Sequence, residues 1–88
     1  MNYTAVLRPS AQKELNAVPD QEYKLISKII SDLEQNPRSI QSKKLAGGGL
    51  WRIRVKRYRV IYKIDDTDRL IIIVRVARRR EDTYKKLK

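Results

Sequence analysis

The 88-residue chain has no cysteine and no histidine. Without cysteine there can be no disulfide, no thiolate nucleophile and no cysteine-ligated zinc, and a reducing compartment fits. Without histidine the chain lacks the commonest acid/base side chain and the commonest metal ligand. That absence constrains an enzymatic reading more than any residue that is present. Acidic side chains are also few: 10 Asp plus Glu face 21 Lys plus Arg, a formal charge of +11. Nothing approaches the run of roughly 20 apolar residues that spans a bilayer, and Met1 to Ser10 holds no signal-peptide core. The expected location is the cytoplasm.

What is present suits one domain, residues 1–88, with 41% hydrophobic content to build a core of sheet and helix. The charge is unevenly placed. Residues 1–50 carry 7 basic and 5 acidic side chains, whereas residues 51–88 carry 14 and 5. A basic surplus sorted into one half points to a polyanionic partner for that half.

Tyr3, Ala5 and Leu7 alternate with Asn2, Thr4 and Val6, which predicts a short, partly buried strand. Pro9 suits a first helical turn, and Ala11, Leu15 and Val18 then share one face. After Pro19, Asp20 is a candidate N-cap for a second helix. Tyr23, Ile26, Ile29, Ile30 and Leu33 follow at helical spacing until Asn36-Pro37. The other face, with Lys24, Lys28, Asp32 and Glu34, reads as solvated surface. Residues 38–49 show no period and end in Gly47-Gly48-Gly49, which lacks a Walker A pattern and reads as a plain loop.

From Trp51 the period is two. Trp51, Ile53 and Val55 lie on one face, and Arg52, Arg54 and Lys56 on the other. A second strand puts Tyr58, Val60, Tyr62 and Ile64 against Arg59, Ile61 and Lys63. With Lys56-Arg57 as the turn, Val55 pairs with Tyr58, Ile53 with Val60 and Trp51 with Tyr62, so the apolar faces coincide. The same register sets Arg54 across from Arg59. Like charges placed opposite one another destabilise a sheet, so this face is expected to meet something anionic. Trp51, Tyr58 and Tyr62, on the apolar side, are expected to be packing residues.

Asp65-Asp66-Thr67-Asp68 reads as a turn rather than a metal loop, because aspartate favours turns and the EF-hand spacing is absent. Leu70 to Val76 is apolar on both faces apart from Arg75, the mark of an interior strand. The segment from Ala77 to Lys88 holds Arg78-Arg79-Arg80 and Tyr84. The expected class is α+β: an antiparallel four-stranded sheet with an N-terminal helical hairpin on one face, in the order β-α-α-β-β-β plus a short C-terminal segment.

The segments LWRIRVKRYRVIY (50–62) and IIIVRVARRREDTY (71–84), behind a helical hairpin and a glycine loop, resemble the RelE/ParE toxin superfamily over nearly the whole chain. The resemblance implies a microbial ribonuclease-like fold and a toxin of a type II toxin–antitoxin system. For the RelE branch it implies a ribosome-dependent endoribonuclease, an mRNA interferase, that needs no metal or other cofactor. Its partners would be an acidic antitoxin, the ribosome and mRNA, with no membrane. Carried onto this sequence, the catalytic positions are Arg52, Arg54, Arg59, Arg79 and Tyr84, with Lys56, Arg57, Arg75, Arg78 and Arg80 as RNA-binding cations. Where many relatives carry lysine this chain has Arg52 and Arg54, and where many carry histidine it has Arg78. The ParE branch, similar in fold, acts on DNA gyrase and generally lacks the full set. A ParE-like gyrase inhibitor and a non-enzymatic basic nucleic-acid-binding module stand as alternatives.

RNA cleavage by its own 2′-hydroxyl requires removal of the 2′ proton, stabilisation of charge on the phosphorane and stabilisation of the departing 5′ oxygen. Arginine suits the second task, since its planar fork matches phosphate oxygens, but it holds its proton too tightly to be a base. Arg59 and Arg79 are therefore expected at the phosphorane. Tyr84 is the candidate base or stacking residue, and neighbouring guanidinium groups would lower its phenol from a reference pKa of about 10. Weak acid/base equipment calls for a substrate positioned by something else, which accords with action on the ribosome.

Overall fold

A strand with apolar residues on one side only must bury that side, and so must a helix with an apolar stripe; the two solve each other's problem by stacking. The computed structural model of the chain describes residues 2–78. Along them the order is β1 (Thr4–Leu7), α1 (Pro9–Asn16), α2 (Asp20–Gln35), β2 (Lys43–Lys44), β3 (Leu50–Val55), β4 (Tyr58–Asp65) and β5 (Leu70–Arg78). The sheet runs β1-β5-β4-β3-β2. Both helices cover one face, α1 over β5 and α2 over β1 and β3. Ile53, Val55, Val60, Tyr62, Ile71, Ile73 and Val76 meet Ala11, Leu15, Val18, Ile26, Ile30 and Leu33 in one buried cluster. Each large aliphatic side chain there contributes roughly 1.5–3 kcal/mol.

The α+β class is as the sequence predicts, and the β3–β4 register is the predicted one pair by pair, from Trp51↔Tyr62 to Val55↔Tyr58. The turn between them is the two residues Lys56 and Arg57, with Lys56 at φ 57. On α2, Ile26, Ile30 and Leu33 are buried as expected, but Tyr23 is 38% exposed. The helix begins at Asp20 itself, with Pro19 in the capping position; Asp20 and Glu22 lie instead in the first turn, where negative charge suits the helix dipole.

The strand plan departs from expectation in two ways. A fifth strand, β2, joins the sheet as an antiparallel partner of β3, Lys43 opposite Arg52 and Lys44 opposite Trp51. Two residues are too few to display an alternation. In addition, β1 pairs with β5 in parallel, from Thr4↔Leu70 to Leu7↔Ile73. No hairpin joins β1 to β5, since two helices and three strands lie between them in the chain, and a long connection permits a parallel pair where a hairpin cannot.

Helix glutamates close the strand edges. Glu34 of α2 accepts the N–H of Ala5 at 2.7 Å, and its backbone carbonyl accepts the N–H of Tyr3 at 2.8 Å. Glu34, expected in solvent, is thus a fastener for β1. Glu14 of α1 accepts the N–H of Val76 at 2.8 Å, past the point where β1 ends.

The segment after α2 is pinned from two sides. The fully buried Tyr62 hydroxyl lies 2.8 Å from the Pro37 carbonyl and 2.7 Å from Ser42 Oγ. Since the carbonyl can only accept, Tyr62 donates to Pro37 and Ser42 donates to Tyr62. Burial pushes the Tyr62 phenol up. At the surface, Arg38 stacks over Trp51 at 5.7 Å and pairs with Asp66 at 2.8 Å, while Tyr3 donates its hydroxyl to the same carboxylate. Asp65 accepts the N–H of Asp68 at 2.9 Å. Two of the three aspartates of this turn are therefore engaged by protein donors, as a turn reading requires.

Tyr62→Phe leaves the Pro37 carbonyl without its buried donor and should cost about 1–3 kcal/mol, read as a lower urea midpoint at unchanged slope. The hydrogen bond from Arg38, then that from Tyr3, holds the Asp66 carboxyl below its ordinary value of 3.8. A depressed acid stabilises the fold above its unfolded pKa, and that contribution is lost as pH falls through the folded one. The melting temperature should therefore decline as pH drops below about 4, and Asp66→Asn should flatten part of that decline in thermal melts across pH.

Candidate nucleic-acid interface

Parity along the strands decides which face each cation occupies. Because β3 and β4 turn Ile53, Val55, Val60 and Tyr62 toward the helices, Arg52, Arg54, Arg59, Ile61 and Lys63 face the other way. Among the described residues, no helix lies on that second face. On the neighbouring strands Lys43 lies opposite Arg52, and Ala77 opposite Arg59. Val6, 40% exposed, and Ile72 carry the face on toward β1 as an apolar border. Arg52, Arg54 and Arg59 are thus brought together, as the sequence predicts.

Arg54 stands directly across from Arg59. Facing side chains start roughly 4.5–5.5 Å apart at Cβ, so the two guanidiniums share one patch. Arg54 is exposed and Arg59 half-buried. The Nε of Arg59 is buried, and no described residue accepts a hydrogen bond from it. A buried charged donor without an acceptor is costly, and any acceptor for this nitrogen has to come from outside the described residues.

The other predicted cations divide. Lys56 and Arg57 form the hairpin tip at the end of this face. Arg75, opposite Ile61, is bound by Glu14 of α1 at 2.9 Å, with Nε also donating to that carboxylate at 3.0 Å. Arg78 lies opposite Tyr58 on the helix side of the sheet. A bulge causes this: Ile61 pairs with Arg75 and Tyr62 with Ile73, so Val74 is an extra residue and the alternation beyond it is inverted. Arg79, Arg80 and Tyr84 lie outside the described residues.

Residues 5–83 match the family described as ParE toxin of type II toxin–antitoxin systems, parDE. The chain belongs to the RelE/ParE toxin superfamily. It is a toxin of a toxin–antitoxin system by that membership. A protein of Methanocaldococcus jannaschii named RelE1 is 30% identical over 97% of this chain and 98% of its own length. The archaeal RelE–RelB complex of Pyrococcus horikoshii is 29% identical with TM-score 0.79, covering 92% of this chain and 99% of that one. The RelBE2 toxin–antitoxin complex of Mycobacterium tuberculosis is 27% identical with TM-score 0.81, covering 90% and 100%. The family description carries the ParE name and the relatives the RelE name, so the target of this RelE/ParE toxin has to be argued from its site.

Two features of the site escaped the sequence. Lys43 joins the cationic face through β2, which no period announces. Glu14 neutralises Arg75 from a helix 61 residues away, a contact only tertiary structure creates.

The Arg54–Arg59 pair yields a stability prediction. Arg54→Thr should stabilise the free toxin by about 0.2–1 kcal/mol by removing a like-charge cross-strand pair. The gain should shrink between low and high salt as the repulsion is screened, which thermal melts at two ionic strengths would show.

Proposed function

We propose that this toxin is a ribosome-dependent, metal-independent endoribonuclease that cuts mRNA in the ribosomal A site through attack by the RNA 2′-hydroxyl. The observation that carries the reading is the buried Nε of Arg59, without an acceptor among the described residues, beside Arg54 and Arg52 on the face away from α1 and α2. A phosphate over that face would accept from Arg59 and relieve the repulsion between Arg59 and Arg54. In this reading Arg59 and Arg79 hold the phosphorane, Arg52 and Arg54 hold flanking charge, and Tyr84 takes up or stacks against the reacting nucleotide. Lys56, Arg57 and Arg80 grip neighbouring backbone. Arg75 contributes field, since Glu14 occupies its fork.

The formal charge of +11 favours docking onto ribosomal RNA. It also favours an acidic antitoxin as the partner, and the P. horikoshii and M. tuberculosis relatives are seen in toxin–antitoxin complexes. The family description supports a second reading, a ParE-like inhibitor of DNA gyrase that cuts nothing.

Purified toxin added to programmed ribosomes should break the A-site codon, and Arg59→Ala should slow the break by about 10²–10³. An intact message with active ribosomes would sink the nuclease reading. Undiminished toxicity of Arg59→Ala together with blocked gyrase supercoiling would favour the second.

A further inference from the structure

At the hairpin end of the sheet the described residues enclose a shallow cleft of about 300 Å³, lined by Pro19, Glu22, Lys56, Arg57, Tyr58 and Arg78. It is distinct from the arginine face, because Tyr58 and Arg78 pair with each other on the helix side of the sheet. Three cations, one carboxylate and one aromatic ring meet there. None of the four charged side chains forms a hydrogen bond or ion pair with another described residue. Glu22 therefore leaves the surplus of positive charge in place and keeps its own oxygens open.

The turn that delivers two of these cations is held at a conformational cost. Lys56 has φ 57, a left-handed backbone that costs an ordinary residue about 1–2 kcal/mol and that glycine or asparagine would adopt more easily. Backbone strain of this kind collects at ligand-binding positions.

The lining chemistry selects among anions. Its size is at the lower end for ligand clefts and suits a ligand no larger than one nucleotide. Lys56, Arg57 and Arg78 match a phosphate; the Tyr58 ring is a stacking platform, a contact any base can make. Glu22 adds discrimination, since a carboxylate accepts two hydrogen bonds from adjacent donors and guanine presents N1–H and N2–H side by side. An acidic peptide would find the cations but would be repelled by Glu22.

We propose that this cleft is a nucleotide subsite that takes a guanosine nucleotide of the bound RNA, away from the bond being cut. Lys56, Arg57 and Arg78 hold its phosphate, Tyr58 supports its base and Glu22 reads its Watson–Crick edge. The proposal rests on the reading of the chain as an RNA-handling toxin, but its test needs no ribosome.

The full chain is titrated with GMP, UMP or inorganic phosphate and followed by amide chemical shifts. GMP should move Glu22, Lys56, Arg57 and Tyr58 and bind about tenfold more tightly than UMP, the worth of one bidentate base contact. Glu22→Gln, a change at a partly exposed position, should abolish that preference and retain phosphate binding. Lys56→Gly with Arg57→Ala, which relieves the turn, should weaken both nucleotides.

Equal affinity for GMP, UMP and phosphate would overturn the subsite. So would shifts confined to Arg52, Arg54 and Arg59, or a glutamate-rich peptide that displaces GMP from the cleft. A-site cleavage without GMP binding would remove this proposal alone, and GMP binding without cleavage would remove the nuclease reading alone.

Discussion

The pairing of β3 with β4 is the constraint on which the rest of the molecule depends. A loop of two residues fixes the register, and in a sheet a slip of one residue carries every side chain to the opposite face. With Val55 set opposite Tyr58, Ile53, Val55, Val60 and Tyr62 reach the helices and Arg52, Arg54 and Arg59 reach the other side. Core and binding surface are two sides of one decision. Lys56 bears its conformational cost, because φ 57 keeps the loop at two residues.

Legibility in the sequence followed periodicity. Wherever residues alternate strictly, as from Trp51 to Ile64, partners could be named before any coordinates, including the unfavourable Arg54–Arg59 pair. In β5 the residues from Leu70 to Val74 are all apolar, so no polar phase marks a slip and the bulge at Val74 leaves no signal. The bulge places Arg78 on the helix side. The direction of β1 was equally hidden, since a strand four residues long states that it is half-buried and not which neighbour it joins. Roles that depend on a partner distant in sequence, such as Glu14 with Arg75, leave no local trace.

The open face differs from a merely basic surface in how its charges are held. Most surface cations swing in water, and their pairings with surface carboxylates are worth little. Here Arg59 is half-buried with Nε out of solvent, Arg54 is set against it by the ladder, and Arg52 lies one pleat away beside Lys43. The sheet fixes the charges before any anion arrives, which is the preorganisation that makes fixed donors effective on developing negative charge. With no histidine in the chain, the proposed nuclease activity would rest on that field and a phenol.

The two glutamates that close the strand edges bear on a different hazard. Unpaired edge amides invite other chains to add strands, and the apolar segments of this sheet would be apt templates for that. Glu34 occupies the amide of Ala5 and Glu14 that of Val76. Protection against self-association is thereby delegated to the helical layer, and damage to either helix end would expose an adhesive strand border as well as loosen the core.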